Sequence, residues 1–524
     1  MRREDLLAPS NYNLAEEVER FANNPNVIAL KWINEEGEQA EITYAELMKQ
    51  VNRIGNALLS SGLQKGDKAI IMIPRLIDAY TIYLGCLKAG IAVSPGSEML
   101  RAKDIRYRLI HGEIKAVISL DSLVEEFNSI TDIEFMKFVV GDKVEGWQDL
   151  MSIAAKSSDQ LVQANTTSDD MAFLSYTSGT TGNPKGVVHT HGWAYAHLRT
   201  AASGWLGIKE GDVVWATAAP GWQKWIWSPF MSVLGSGATG FVYNGKFDAN
   251  KYLQLLQDHN VNVLCCTPTE YRVMAKVENL SDFSLPALRS AVSAGEPLNR
   301  EVIDTFRKYF NVTVRDGYGQ TENTLLVGIL EGMEVKPGSM GRPTPGNTVE
   351  IVNDDGNPCA VGEVGDIAVH RHTPALFKNY YKDPERTAMQ FRGEWYITGD
   401  KAKKDEDGYF WFEGRSDDII ISSGYTIGPF EVEDALVKHP LVKECAVVSS
   451  PDEIRGSVVK AFVVLRDGVD ENQDNLVKNL QNHVKDLTAP YKYPRKVEFV
   501  KELPKTTSGK IRRVELRQKE MKSK

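Results

Sequence analysis

Short apolar runs alternate with helical patterns along much of the chain, and this alternation restricts the fold more than any other feature of the sequence. Residues 43–62, TYAELMKQVNRIGNALLSSG, place apolar side chains at helical spacing and stop at a glycine. DKAIIMIP (67–74) then reads as a buried strand, LIDAYTIYLGCLKAG (76–90) as a helix and AVISL (116–120) as a further strand. Strand and helix in this rhythm imply βαβ units around a mainly parallel sheet. The rhythm resumes in NVNVLCCTP, LRSAVSAG and NVTVRDGYG, each strand breaking into a glycine-containing loop. Ligands of open α/β sheets sit at the carboxyl ends of strands, so these loops are candidate walls of a site.

Near residue 345 the texture changes. VEIVNDDGNPCAVGEVGDIAVH and GEWYITGDKAKKDEDGYFWFEGR are short strands separated by Asp/Gly turns, the pattern of a small β-rich subdomain. From about residue 418, IIISSGYTIGPFEVEDALVKHP and VKECAVVSSPDEIRGSVVKAFVVL describe a small α+β domain. The fold class expected is therefore α/β: a large N-terminal domain of parallel-sheet α/β subdomains with a small β-rich subdomain, and a small α+β C-terminal domain. The 524 residues exceed what one hydrophobic core organises.

Composition excludes several function classes. A net charge of -9 argues against a general nucleic-acid binder, and the basic tail RRVELRQKEMKSK reads as a solvated helix end. The longest apolar runs are too short to span a bilayer. MRREDLLAPSNYN lacks the apolar core of a secretion signal, and its early Glu4 and Asp5 oppose a transit peptide. Five scattered cysteines show neither metal-ligand spacing nor a disulfide framework, so a reducing, cytoplasmic setting is expected.

YTSGTTGNPKG (176–186) combines glycines, hydroxyls and Lys185 in one stretch. Glycines let backbone approach a ligand, hydroxyls and amides donate, and the lysine adds charge, which together suggest a phosphate cradle. It is not a Walker A loop, because Pro184 stands where that pattern needs its second glycine. Four further stretches accompany it: SAGEPL (293–298), DGYGQTEN (316–323), YITGD (396–400) followed by EGRSDD (413–418), and PKTTSGK (504–510). Singly, each reads as turn chemistry or a surface lysine. Jointly, in this order, they resemble the acyl-adenylate-forming superfamily over nearly the whole chain. DGYGQTEN, SSGYTIGPFEVEDAL and APYKYPRKVEFV look closest to medium-chain acyl-CoA synthetases.

The resemblance implies an ATP-dependent ligase of lipid and fatty-acid metabolism that joins a carboxylic acid to CoA through acyl-AMP, releasing AMP and pyrophosphate. No general base is needed, because a carboxylic acid of pKa about 4–5 is already ionised at neutral pH. Positioning and charge neutralisation are needed instead, since an anion attacks a polyanion. By resemblance, Thr177, Ser178, Gly179, Thr180, Thr181, Gly182, Asn183, Pro184 and Lys185 would hold the β- and γ-phosphates. Thr321 would contact the α-phosphate and Glu322 would ligate Mg2+. Gly295, Glu296 and Pro297, with Asp316, Gly317, Tyr318, Gly319 and Gln320, would form the nucleotide wall. Asp400 would accept from the ribose beside Arg415, and Lys510 would stabilise charge between carboxylate and α-phosphate.

The same resemblance divides the chain into an N-terminal domain, 1–416, and a mobile C-terminal domain, 417–524, with its hinge at Asp417. After rotation, Ser423, Gly424 and Tyr425 would line the pantetheine tunnel, while Arg455, Tyr493 and Arg495 would serve the CoA phosphates. Thr426 departs from the arginine that relatives usually carry there. Gly319 replaces a tryptophan that closes the carboxylate pocket of acetate-specific relatives. With Trp222 as the expected wall, this predicts a medium-chain, branched or aromatic acid in preference to acetate. Val437, His439 and Val442 match a metal spacing of some relatives, although a helix end before Pro440 explains them more simply. The expected partners are a small carboxylic acid, ATP and CoA, with neither nucleic acid nor membrane span. A homo-oligomer, modification of Lys510 by a lysine acetyltransferase and deacetylase, and carrier-protein loading by a freestanding adenylating enzyme remain open alternatives.

Overall fold

The computed structural model describes residues 1–177, 184–295, 298–422, 425–452, 456–471, 475–488, 490–505 and 510–522. Two compact units emerge. One comprises Met1–Pro337, Gly341–Thr348 and His370–Phe391; the other comprises Gly338–Met340, Val349–Val369 and Arg392–Lys524. The β-rich segment expected at about 345–416 is thus divided, with its larger part clustering with the C-terminal segment.

The first unit holds the two large sheets. In the eight-stranded sheet, Ala92–Pro95, Lys68–Met72, Ala116–Leu120 and Met136–Val140 run parallel in spatial order. Met171–Thr177 joins Ala92–Pro95 in parallel, then Lys185–Thr190 and Asn379–Tyr380 extend the edge antiparallel. The nine-stranded sheet has a parallel centre that includes Val263–Cys266, Ser290–Ala294 and Val314–Gly319, flanked by the antiparallel Leu325–Gly328. The alternating pattern read from the sequence is realised in these parallel centres.

Helix packing follows from the sequence. Thr43 accepts the Glu46 N–H at 3.2 Å and so starts the helix Tyr44–Ser60. Its Leu47, Val51, Ile54 and Leu58 fall at helical spacing and are fully buried, each contributing about 1.5–3 kcal/mol. Gly55 lets this helix meet the helix Ile77–Lys88 closely: a Cβ there would lie 3.2 Å from the Gly85 carbonyl oxygen.

The second unit contains the antiparallel pair Trp395–Lys404 and Phe410–Arg415. Further along the chain, Val442–Asp452 pairs antiparallel with Gly456–Leu465, which pairs parallel with Lys496–Phe499. The helices Pro429–Val437 and Leu476–Leu487 cover this sheet through Val432, Leu436, Leu480 and Val484. All five cysteines are buried and free, as their scatter implied. Among the described residues no helix is long and apolar enough to cross a membrane.

Candidate active site

The strands Met171–Thr177 and Lys185–Thr190 pair antiparallel, with Thr177 and Lys185 opposite each other. Ser178, Gly179, Thr180, Thr181, Gly182 and Asn183, which join them, lie outside the described residues. Thr177 Oγ1 is buried and has no partner among the described residues. The Pro184 carbonyl accepts the Tyr107 phenol at 3.1 Å. Lys185 Nζ lies 3.7 Å from Glu322 Oε1 and 3.3 Å from the Tyr380 hydroxyl, with the Tyr380 ring centroid 4.7 Å away. Tyr380 in turn donates to Glu322 Oε1 at 2.9 Å. The expected phosphate lysine and the expected metal carboxylate therefore meet in one cluster.

The loop carrying Thr321 and Glu322 is braced by His189, Trp193 and His197, which motif reading did not single out. His189, Trp193, His197 and Trp227 form a column with successive ring centroids 4.9, 4.8 and 5.7 Å apart. His189 Nε2 meets the Thr321 carbonyl at 2.5 Å; a carbonyl only accepts, so Nε2 carries the proton. Trp193 Nε1 donates to the Asn323 carbonyl at 2.9 Å. His197 Nε2 donates to the Trp227 carbonyl at 2.8 Å, leaving Nδ1 to accept from the Thr324 hydroxyl at 2.7 Å. Burial pushes the His189 pKa down to about 4 and that of His197 to about 3, so both are neutral at physiological pH. Trp193 and His197 are four residues apart on the helix His191–His197, a spacing that marks one helix face.

The expected nucleotide wall comes together at the ends of adjacent parallel strands, where Ala294 pairs with Gly317. Gly295 follows with φ 111°, and Tyr318 is half-buried. Glu296 and Pro297 lie outside the described residues. The Asp316 side chain is buried and accepts the Gly317 and Leu298 N–H groups at 2.8 and 3.3 Å. It ties the backbone of Gly317 to that of Leu298. Burial raises its pKa to about 7 against those two hydrogen bonds.

Gly319 also differs from the expectation of open space. A Cβ there would lie 2.1 Å from the Thr324 carbonyl oxygen and 2.6 Å from Trp227 Cη2. The indole of Trp227 occupies the ground beside Gly319, and its Nε1 is buried without a partner among the described residues. Lys224 Nζ sits 4.7 Å from the Trp205 ring and 5.5 Å from that of Trp227, and donates to Ser228 Oγ at 3.1 Å. Trp225 is core, packed on Tyr80, Tyr83 and Phe230. Trp222, the expected wall, is half-buried at the start of the short helix Gln223–Trp225. Three tryptophans in six residues gave no way to tell which one meets Gly319.

In the second unit, Asp400 and Arg415 are cross-strand partners, with Arg415 Nη1 3.2 Å from Asp400 Oδ1. Asp400 is buried, whereas the Arg415 side chain is 46% exposed. Asp417 lies 4.0 Å from Arg415 Nε and 3.4 Å from Arg517 Nη2. Tyr493 is flanked by Arg495, which donates to its hydroxyl at 2.7 Å, and by Lys485, 4.1 Å from its ring centroid. Lys510 is exposed. Ser423, Gly424 and Arg455 lie outside the described residues, as do the side chains of Tyr425 and Thr426. The helix Pro429–Val437 ends before His439, whose Nδ1 accepts the Leu441 N–H at 3.3 Å. That is a helix-end turn.

Comparison with known proteins follows the same outline. The family described as AMP-binding enzyme matches residues 17–381, and the AMP-binding enzyme C-terminal domain matches 431–510. The uncharacterized acyl–CoA ligase YtcI of Bacillus subtilis (strain 168) is 63% identical, covering 99% of this chain and 98% of its own. The mitochondrial acyl-coenzyme A synthetase ACSM3 of Mus musculus is 41% identical over 98% of this chain and 91% of its own. Among solved structures, the anthranilate CoA ligase AuaEII in complex with anthranoyl-AMP superposes with a TM-score of 0.91 at 28% identity, covering 100% of this chain and 99% of its own. A benzoate CoA ligase from Burkholderia xenovorans LB400 reaches a TM-score of 0.84 at 30% identity, covering 97% and 100%.

Proposed function

We propose that this chain, which belongs to the AMP-binding enzyme family and is an AMP-forming acid–CoA ligase, prefers medium-chain, branched short-chain or aromatic acids over acetate. The observation carrying the catalytic reading is the cluster of half-buried Lys185 with buried Glu322 and Tyr380 beside the phosphate-cradle sequence. Buried opposite charges are costly unless they are paired, and substrate charge can replace each partner. The triphosphate offers anionic oxygen to Lys185. Glu322 is a carboxylate with neutral and cationic donors around it, which fits a hard divalent cation such as Mg2+. When bound, that ion would neutralise the charge of the phosphate oxygens.

The chain's own residues then do the following. Lys185 draws the terminal phosphates, and Thr321, its carbonyl held by His189, presents its hydroxyl toward the α-phosphate. Asp400 accepts from the ribose hydroxyls, and Lys510 offsets the negative charge that accumulates as the substrate carboxylate attacks phosphorus. The thiol of CoA subsequently displaces AMP from the acyl-adenylate. Rotation about Asp417 exchanges the two steps, with Tyr493 and Arg495 serving the CoA phosphates. Support for the acid class lies in the resemblance to medium-chain acyl-CoA synthetases and in the aromatic edge of Trp227 beside Gly319. The hydrogen there admits the Trp227 edge, so an apolar, aromatic surface rather than an indole at 319 would meet the acyl group. Each buried methylene would contribute about 0.8 kcal/mol.

The test measures AMP formation with ATP, Mg2+ and CoA across straight, branched and aromatic acids, with Lys510→Ala as control. CoA-dependent AMP with an optimum well above acetate, largely lost in the variant, supports the reading. Pyrophosphate release that ignores CoA would instead support loading of a carrier protein.

A further inference from the structure

Tyr380 belongs to none of the sequence motifs, yet it joins the two charges on which adenylation depends. It lies on the strand Asn379–Tyr380, where it pairs antiparallel with Val187, two residues beyond Lys185. Its N–H donates to Thr387 Oγ1 at 3.0 Å, its ring packs 4.8 Å from that of Phe377, and only 2% of it is exposed. The Phe377 N–H also donates to the Glu322 carbonyl at 2.7 Å, so this segment grips Glu322 through backbone and side chain together. The phenol is thereby held in one orientation, aimed at Glu322 Oε1.

We propose that Tyr380 is a positioning residue for adenylation: its phenol fixes the Glu322 carboxylate while its ring holds the Lys185 ammonium, until metal and phosphate separate the pair. The inference rests on the reading that Glu322 takes the divalent cation and Lys185 the phosphates. A carboxylate offers about four lone-pair directions, so a hydrogen bond at Oε1 leaves Oε2 for a cation. A neutral phenol supplies orientation without opposing positive charge at the metal position. The ring face attracts Lys185 at 4.7 Å through its quadrupole. The ammonium is thus kept beside the cradle without a full-strength ion pair that the nucleotide would have to break; its distance from Glu322 is 3.7 Å. Hydrogen-bond partners of metal-ligating carboxylates characteristically change metal affinity by roughly 10–100-fold when removed.

The test uses the full chain with Tyr380→Phe, which keeps the ring and removes only the hydroxyl. Mn2+ is titrated by electron paramagnetic resonance in the presence of a non-hydrolysable ATP analogue, and metal-free ATP binding is measured by calorimetry in EDTA. The expected result is Mn2+ affinity weakened about tenfold, with metal-free ATP binding changed by less than about twofold because the ring still holds Lys185. In turnover, the KM for metal–ATP rises while those for the acid and CoA stay put, a split that a general loss of structure would not produce. Mn2+ affinity within about twofold of the parent overturns the proposal, given the effect expected of such partners. Glu322→Gln in the same titration separates the two levels of the argument. If it too leaves Mn2+ binding intact, the metal reading of Glu322 is wrong; if it abolishes binding while Tyr380→Phe does not, only the role of Tyr380 fails. Should the Phe variant unfold at a lower temperature, Tyr380→His returns a donor near Glu322 and is expected to recover Mn2+ affinity; failure to recover also overturns the proposal.

Discussion

Replacing Gly319 with alanine adds one carbon atom at a position where the structure has no room for it. That Cβ would lie 2.1 Å from the Thr324 carbonyl oxygen, against an ordinary contact of at least 3.4 Å, so the shortfall is 3.4 − 2.1 = 1.3 Å. The far end of the Trp227 indole, at 2.6 Å, is a second obstacle. Neither yields easily. The Thr324 hydroxyl is bound to His197, and the His197 imidazole is bound to the Trp227 carbonyl, so a push on either neighbour reaches both. The strand pairing already has a register shift between Tyr318 and Gly319, where a bulge turns the chain into the 320–324 loop. Overpacking of this kind costs about 1–3 kcal/mol of stability. The catalytic cost is larger, because Thr321 and Glu322 ride on the displaced loop, and a displacement of about 1 Å can cost roughly a hundredfold in rate. Gly319→Ala is therefore expected to lower kcat for ATP–pyrophosphate exchange by about that factor, with a modest fall in the unfolding midpoint. Exchange within about threefold of the parent, with an unchanged midpoint, would show that the loop gives way freely and would refute the reasoning.

Three other outcomes are expected. Trp227→Phe trims the aromatic surface beside Gly319 and should move the acid optimum toward longer or bulkier chains in a substrate series; an unchanged optimum would place the acyl group elsewhere. Asp400→Asn removes the charge paired with Arg415 at 3.2 Å and should raise the KM for ATP more than that for 2′-deoxy-ATP, because the ribose contact is the one weakened; equal effects on both nucleotides would count against a ribose role. The third concerns pH. His189, His191 and His197 are held down to about 4, 4 and 3 by burial, from 6.5. Between those values the unfolded chain binds protons that the folded chain does not, so stability present above pH 6.5 is lost on acidification. Asp316 acts oppositely: its pKa is raised from 3.8 to about 7, so in that window the folded state holds the extra proton. The three imidazoles outweigh Asp316, and burial lowers His111, His259 and His439 as well while raising Asp78 and Glu98, so stability falls as the pH drops below 6.5. Urea midpoints measured from pH 7.5 to 5 should fall accordingly, and a flat profile would mean that these imidazoles are not buried neutral.

What could be read from the sequence, and what could not, divides along the distance of the interactions. YTSGTTGNPKG suggests a phosphate cradle because the chemistry such a cradle needs is contained in consecutive residues, and the alternating apolar runs announce parallel sheets because periodicity is local. Tyr380 is different. It meets Lys185 across 195 positions and Glu322 across 58, and nothing in LFKNYYKDPE distinguishes a bracing phenol from an ordinary aromatic edge residue. Asp316 shows the converse limit: it stands inside a motif, yet folding turns its carboxylate toward the backbone of Leu298 and Gly317.

Gly319 joins the two kinds of information. A glycine in place of an indole reads naturally as a wider pocket, because sequence records what a position lacks and not what moves into the space. Here Trp227 and the Thr324 carbonyl move in, and the residue without a side chain becomes the tightest point of the loop. Under the proposed function, selectivity for the acid and placement of the Thr321–Glu322 pair would depend on the same few atoms: the 319 hydrogen, the Trp227 edge and the hydrogen bonds of His197. A change at Gly319 is therefore expected to displace Thr321 and Glu322 as well. Gly319→Trp should lose both adenylation and thioester formation in assays of each half-reaction, and adding Trp227→Ala should not restore them, because the Thr324 carbonyl still lies 2.1 Å from the new Cβ.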